Sequence, residues 1–317
     1  MIRAILATTV VCVSAVAGAF AAPTAPGETT ADCARTSTGL VPLKDLGAEG
    51  YKGFGGGLYP GGANAPTGRY LAQGSAAARG VVPRVAGGKP DPDGRIVLLS
   101  IGMSNTTQEF QAFTRSAAAD ATTSPRMLLV DGAQGGQDAQ RIADPSAPFW
   151  ARVDERLARA GATARQVQVV WLKQAIARET RSFPADARGL QASLRSIVSI
   201  MRARYANLKL VFLSSRTYAG YATTSLNPEP YAYQSAFAVR WLIGERMAGK
   251  VVGPWLGWGP YLWTDGTKGR RDGLQWTCGD VREDGTHPSP SGQAKVAGLL
   301  LRFFKASSTS QSWFRVA

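Results

Sequence analysis

The run Arg95-Ile96-Val97-Leu98-Leu99-Ser100-Ile101-Gly102-Met103-Ser104-Asn105-Thr106 decides the fold. Its first seven residues are rich in aliphatic and β-branched side chains and read as a strand, Arg95–Ile101, and Gly102–Thr106 reads as a turn into a helix. The same alternation continues along the chain. Further strands are expected at Arg126–Asp131, Gln166–Trp171 and Lys209–Ser214, and helices at about Thr107–Ala119, Phe149–Ala160, Ala185–Tyr205, Tyr231–Met247 and Pro290–Lys305. Every strand is followed by a helix, which is the signature of βα units. The expected fold class is α/β, a three-layer α/β/α sandwich on a mainly parallel sheet. The last helix has the clearest start, with Ser289 as N-cap and Pro290 at the first helical position. Val296, Leu299, Leu300, Phe303 and Phe304 are its apolar anchors.

Two stretches depart from this rhythm. Residues 22–94 are rich in Gly and Pro, as in Gly53-Phe54-Gly55-Gly56-Gly57-Leu58-Tyr59-Pro60-Gly61-Gly62, and show no sustained period. They read as an irregular N-terminal segment. Tyr51, Phe54, Tyr59 and Tyr70 want burial, so this segment is expected to pack on the main domain, residues 95–317. Val251–Trp276 is also loop-like, and it carries Trp255, Trp258, Tyr261, Trp263 and Trp276 among glycines. Those rings fit either a stacking wall for sugars or ordinary core packing.

The chain has 317 residues, 44% hydrophobic and 18% charged, enough for a sizeable core and wrong for a disordered chain. Lys and Arg number 36 against 22 Asp and Glu, a formal charge of +14. The excess is scattered arginine without a basic run or a nucleic-acid motif, so nucleic acid is not an expected partner and polyanion binding rests on charge alone.

Met1–Ala21 carries Arg3, an apolar stretch and Ala19-Phe20-Ala21, the small-x-small pattern of a signal-peptidase site. The mature chain is expected to begin at Ala22, exported to periplasm or medium, with no stable membrane anchor after processing. An uncleaved anchor is the rival reading. Of the three cysteines, Cys12 leaves with the leader, and Cys33 and Cys278 are expected to form a disulfide stabilising by up to about 5 kcal/mol.

In an open parallel sheet, ligands sit beyond the carboxyl ends of the strands. Ser104 follows the first strand at a helix start, where it is either an N-cap or a nucleophile. The second strand leads to Asp131-Gly132-Ala133-Gln134-Gly135-Gly136, whose glycines let backbone approach a ligand. The third ends in Trp171-Leu172-Lys173-Gln174, an amide and a cation at one edge. In Glu283-Asp284-Gly285-Thr286-His287-Pro288-Ser289 a carboxylate stands three residues before the only histidine, spacing that can fix an imidazole tautomer. A structural His is the plainer alternative. One His and no closely spaced cysteine pair exclude a multi-His or Cys-rich zinc site. No metal or other cofactor is expected.

These blocks together resemble the SGNH (GDSL-like) hydrolase family over Arg95 to about Lys305, a family with a flavodoxin-like sandwich. The resemblance implies Ser104 as nucleophile, His287 as general base and Asp284 as its orienter. It implies Gly136 as a backbone oxyanion donor, with Asn105, Lys173 and Gln174 completing the oxyanion and substrate-binding set. Gln174 stands where the family has asparagine. Gly102-Met103-Ser104-Asn105 is closer to the Gly-x-Ser-Asn of carbohydrate-acetylesterase-like branches than to Gly-Asp-Ser-Leu. The implied activity is hydrolysis of an O-acyl ester, above all O-acetyl on a carbohydrate, so the expected partner is an ester substrate such as an acylated glycan. Lys173, Arg216 and Arg270 or Arg271 could meet an acidic polymer. The alternative is a non-catalytic glycan-binding or surface protein on a degenerate scaffold of the same kind.

Overall fold

The computed structural model describes residues 30–316, so the expected leader lies outside the described residues. Five strands form one parallel sheet: β1 (Ile96–Gly102), β2 (Met127–Asp131), β3 (Val167–Lys173), β4 (Leu210–Ser214) and β5 (Trp255–Trp258). Their order is β2-β1-β3-β4-β5. This is the doubly wound arrangement, whose switch point lies between β1 and β3, where the chain reverses its direction of travel across the sheet. β1, β3 and β4 are buried along their whole length, as strands covered by helices on both faces must be. The expected α/β/α sandwich is the architecture observed.

The helices are α1 (Gly68–Arg79), α2 (Ser104–Ala119), α3 (Pro148–Arg159), α4 (Ala185–Arg204), α5 (Tyr231–Met247) and α6 (Pro290–Ala306). Helix α2 packs against α6, and α4 against α5. The α2–α6 seam closes on Phe113, Phe304 and Phe314, with ring centroids 5.3–6.1 Å apart and all three fully buried. Each such ring contributes about 1.5–3 kcal/mol by leaving water. Helix α2 begins at Ser104 and α6 begins three residues after His287. Packing two helices thus juxtaposes two residues far apart in sequence.

Two sequence expectations are corrected. The N-terminal segment is not wholly irregular, since α1 gives it a three-turn helix lying along β5. The stretch after Val251 is not all loop, because Trp255–Trp258 completes the sheet. Glycine and aromatic content hid both elements from a search for period.

The segments explain each other. Tyr70 donates to the Leu256 carbonyl at 2.7 Å, the Trp258 indole donates to the Leu58 carbonyl at 2.6 Å, and the Leu43 N–H donates to the Tyr261 hydroxyl at 3.0 Å. Asp265 accepts from Ser37 Oγ and from both the N–H and hydroxyl of Thr38 at 2.6–2.8 Å. All five aromatics of 251–276 are at most 4% exposed, and each Trp N–H has a partner. Core packing is therefore their role, and the stacking wall is overturned. Trp255, Trp258 and Tyr261 edge a cleft of about 540 Å³ whose lining includes none of Ser104, Asp284 and His287, and they offer it no open ring face. Cys33 and Cys278 are bonded, with Cα atoms 5.3 Å apart, fixing residues 30–40 to the loop that leads to His287.

Candidate active site

Ser104 is the first residue of α2. Met103 holds the cap position and makes no side-chain capping bond, while Ser104 Oγ lies 2.8 Å from His287 Nε2. The capping alternative for Ser104 is thereby removed. At that position the Ser104 N–H has no acceptor inside the helix, and the helix dipole adds partial positive charge beside the hydroxyl.

His287 Nδ1 is 2.5 Å from Asp284 Oδ2. A carboxylate only accepts, so Nδ1 carries the proton and Nε2 is left to accept from Ser104. Asp284 Oδ1 takes the backbone N–H groups of Thr286 and His287 at 3.0 and 2.9 Å. Burial pushes the Asp284 carboxyl up, but these hydrogen bonds outweigh it and hold it below the usual carboxylate range. The turn requires Gly285, because its φ is +63° and a Cβ there would meet the Tyr221 carbonyl oxygen at 2.0 Å.

The loop before α6 is locked from within. Asp280, 1% exposed, accepts from the Thr277 N–H at 2.7 Å, Ser291 Oγ at 2.7 Å and Lys295 Nζ at 2.5 Å. Ser289 accepts from the Gly292 N–H as the expected N-cap, with Pro290 beginning the helix. Four fixed groups over so short a span leave His287 little freedom to leave Ser104.

Ser104, Asn105, Gly136, Thr286 and His287 line a small pocket of about 80 Å³ together with Met103, Asp138, Ala177, Arg216, Leu226 and Asn227. Gly136 sits there with φ +71°, a backbone conformation that favours glycine. Asn105 lines the pocket, but its amide donates to the Thr286 carbonyl at 2.8 Å, so it ties the start of α2 to the histidine loop.

Lys173 and Gln174 are not brought to the pocket. Lys173 Nζ lies 2.5 Å from both oxygens of Glu109, and both side chains are within 1% of full burial. Burial pulls the ammonium below its ordinary range while Glu109 holds it up. Gln174 donates to the Gln137 carbonyl at 2.9 Å, and its Oε1 accepts from the Ala175 N–H at 3.2 Å. One amide N–H is bonded to the loop bearing Gly136, so the side chain braces that loop and does not line the pocket. Ala139 N–H to the Ala175 carbonyl and Ala177 N–H to Asp138 Oδ2 complete the same strap.

Sequence reasoning offered Arg216 to an acidic polymer but not to this pocket, and it assigned no role to Asn227 or Asp138. Ser214-Ser215-Arg216 directly follows β4, so the strand-end rule applied to the other strands would have flagged Arg216. Asn227 precedes Pro228 and has φ +58°, which gave no chemical signal. Among the described residues no group of three or more His, Cys, Asp and Glu could hold a metal ion, and no helix is long and apolar enough to cross a membrane.

A scan against family models and a search of curated proteins both find no match. Solved structures similar to this chain include an acetylxylan esterase from Geobacillus stearothermophilus, 16% identical, covering 70% of this chain and 97% of that one at TM-score 0.39. A GDSL-like lipase from Bacteroides thetaiotaomicron is 12% identical over 74% of this chain and 95% of that one, TM-score 0.39. The periplasmic domain of a lipopolysaccharide acetyltransferase from Salmonella ser. Paratyphi A is 12% identical over 74% and 94%, TM-score 0.39. Likenesses this low carry no functional weight, and the side-chain geometry has to carry the reading.

Proposed function

We propose that the protein is an exported serine esterase that hydrolyses a small O-acyl ester. The observation that carries this is the unbroken hydrogen-bonded chain from Asp284 through His287 to Ser104, ending at the first residue of a helix inside a pocket. Ser104 Oγ attacks the ester carbonyl as His287 Nε2 takes its proton, and Asp284 stabilises the imidazolium so formed. The oxyanion is held by the N–H groups of Ser104 and Gly136. His287 then returns its proton to the leaving alcohol. A water molecule, deprotonated by His287, releases the acid from Ser104.

The pocket beside Ser104 is far smaller than the roughly 300–1,000 Å³ of drug-sized sites, which favours a small acyl group there, while Asp284 and His287 also border an open cavity of about 600 Å³ with room for a larger alcohol. A carbohydrate alcohol loses the support that exposed aromatics would have given it, because those rings are buried. Export is supported by the Cys33–Cys278 disulfide, a bond that persists in oxidising compartments.

The test is labelling by a fluorophosphonate probe and turnover of short-chain aryl esters, run on the wild type beside Ser104→Ala and His287→Ala. Labelling of the wild type alone, and a fall in kcat of at least about 10⁴-fold in either variant at unchanged Tm, are expected. A folded wild type that neither labels nor turns over any ester would overturn the proposal.

A further inference from the structure

Arg216 is 3% exposed and lines the pocket that holds Ser104 and His287. Among the described residues, no side chain or carbonyl accepts a hydrogen bond from its guanidinium, and Nε is fully buried without a partner. A buried cation lacking a bonded partner costs several kcal/mol, and most buried arginines are paired for that reason.

Four acids surround it, and each is engaged elsewhere. Glu109 is held by Lys173. Glu229 accepts from the Ala219 and Tyr233 N–H groups and the Trp263 indole. Asp284 belongs to His287, and Glu179 is bonded by Asn227. Burial pulls the Arg216 guanidinium down, and the nearby carboxylates, Glu109 foremost, oppose that from a distance. Burial also pushes the Glu179 carboxyl up to about 8, so at neutral pH it is largely uncharged and competes little for the guanidinium. Arg216 thus lines the pocket with a guanidinium for which the described residues supply no bonded acid.

We propose that Arg216 is an anion subsite, and that the ester substrate carries a carboxylate within a few bonds of the scissile carbonyl. The inference rests on the esterase reading of Ser104 and narrows its substrate class. A planar guanidinium with free N–H groups matches a carboxylate two bonds at a time, and in a pocket shielded from water such a pair discriminates strongly against a neutral isostere.

Matched aryl esters test it: 4-acetoxybenzoate against methyl 4-acetoxybenzoate places the charge on the alcohol side, and phenyl hydrogen succinate against phenyl methyl succinate places it on the acyl side. In one of the two pairs the wild type should favour the charged member in kcat/KM by at least about tenfold. Arg216→Gln should erase that ratio and Arg216→Lys should keep part of it, the change lying mainly in KM. No preference in either pair, or an Arg216→Gln variant that loses both members of a pair by the same factor, would overturn the subsite, the latter pointing to the oxyanion instead. Should Arg216→Gln fail to fold, acetate must slow fluorophosphonate labelling of the wild type where acetamide does not, and equal effects overturn the proposal. If the wild type does not label at all, the esterase reading fails by itself. Calorimetric titration with acetate, heat expected and absence of binding overturning, then still reads the anion subsite.

Discussion

Lys173 and Arg216 are both buried cations at the carboxyl edge of the sheet, one closing β3 and the other two residues beyond β4, yet they have opposite fates. Lys173 meets both oxygens of Glu109 at 2.5 Å and faces the interior. Arg216 has no bonded acid and faces the pocket. Burial alone therefore says little about role. A buried charge with a complete partner is part of the framework, whereas one left incomplete beside a nucleophile is held ready for something that arrives.

The largest effect expected from this contrast is in stability at the closed edge. Lys173→Met strands a buried Glu109 and should lower unfolding free energy by about 3–5 kcal/mol, read from denaturant midpoints. Adding Glu109→Leu to the same chain should recover most of the loss, since a well-packed apolar pair can replace a buried ion pair. A Lys173→Met protein within 1 kcal/mol of wild type would erase the distinction between the two cations.

A second effect sharpens the open edge. The Glu179 carboxyl is raised to about 8 from 4.5, first by burial and then by nearby Asp186. A raised acid contributes stability that is fully present below pH 4.5 and is lost as pH climbs toward 8, where the unfolded chain ionises freely and the folded one resists. From pH 5 to 8 the wild type should lose about 3 kcal/mol more than Glu179→Gln. Parallel stability curves for the two proteins would mean that Glu179 is charged beside Arg216, and the guanidinium would then need no outside anion.

The smallest effect concerns Gln174. Because its amide braces the Gln137 carbonyl, Gln174→Ala should lower kcat/KM by less than about tenfold and destabilise by roughly 1–2 kcal/mol. A loss of about 10²–10³ in kcat would instead mark a direct oxyanion donor and restore the sequence-based assignment.

Much of the frame was legible in the chain. Four strands and five helices fall within a few residues of their expected places, because apolar runs and the Ser289-Pro290 start are local signals. The juxtaposed Ser104, Asp284 and His287 were legible as well, since Ser104 follows a strand, and Asp284 and His287 share one turn. Lys173 and Gln174 were misplaced because a strand end marks the edge of the sheet but not the direction a side chain takes there. Asn227 and α1 left no pattern to find.

The amino-acid sequence by itself determined the βα alternation and the acid–histidine pair, both of which act over a few residues. Only the tertiary structure decided which edge residues meet, because packing α2 on α6 and folding residues 30–94 over β5 are global events. That packing buried the tryptophans that looked like a binding wall. It also left Arg216 in the pocket without a partner, a property that belongs to the space between elements and to none of them alone.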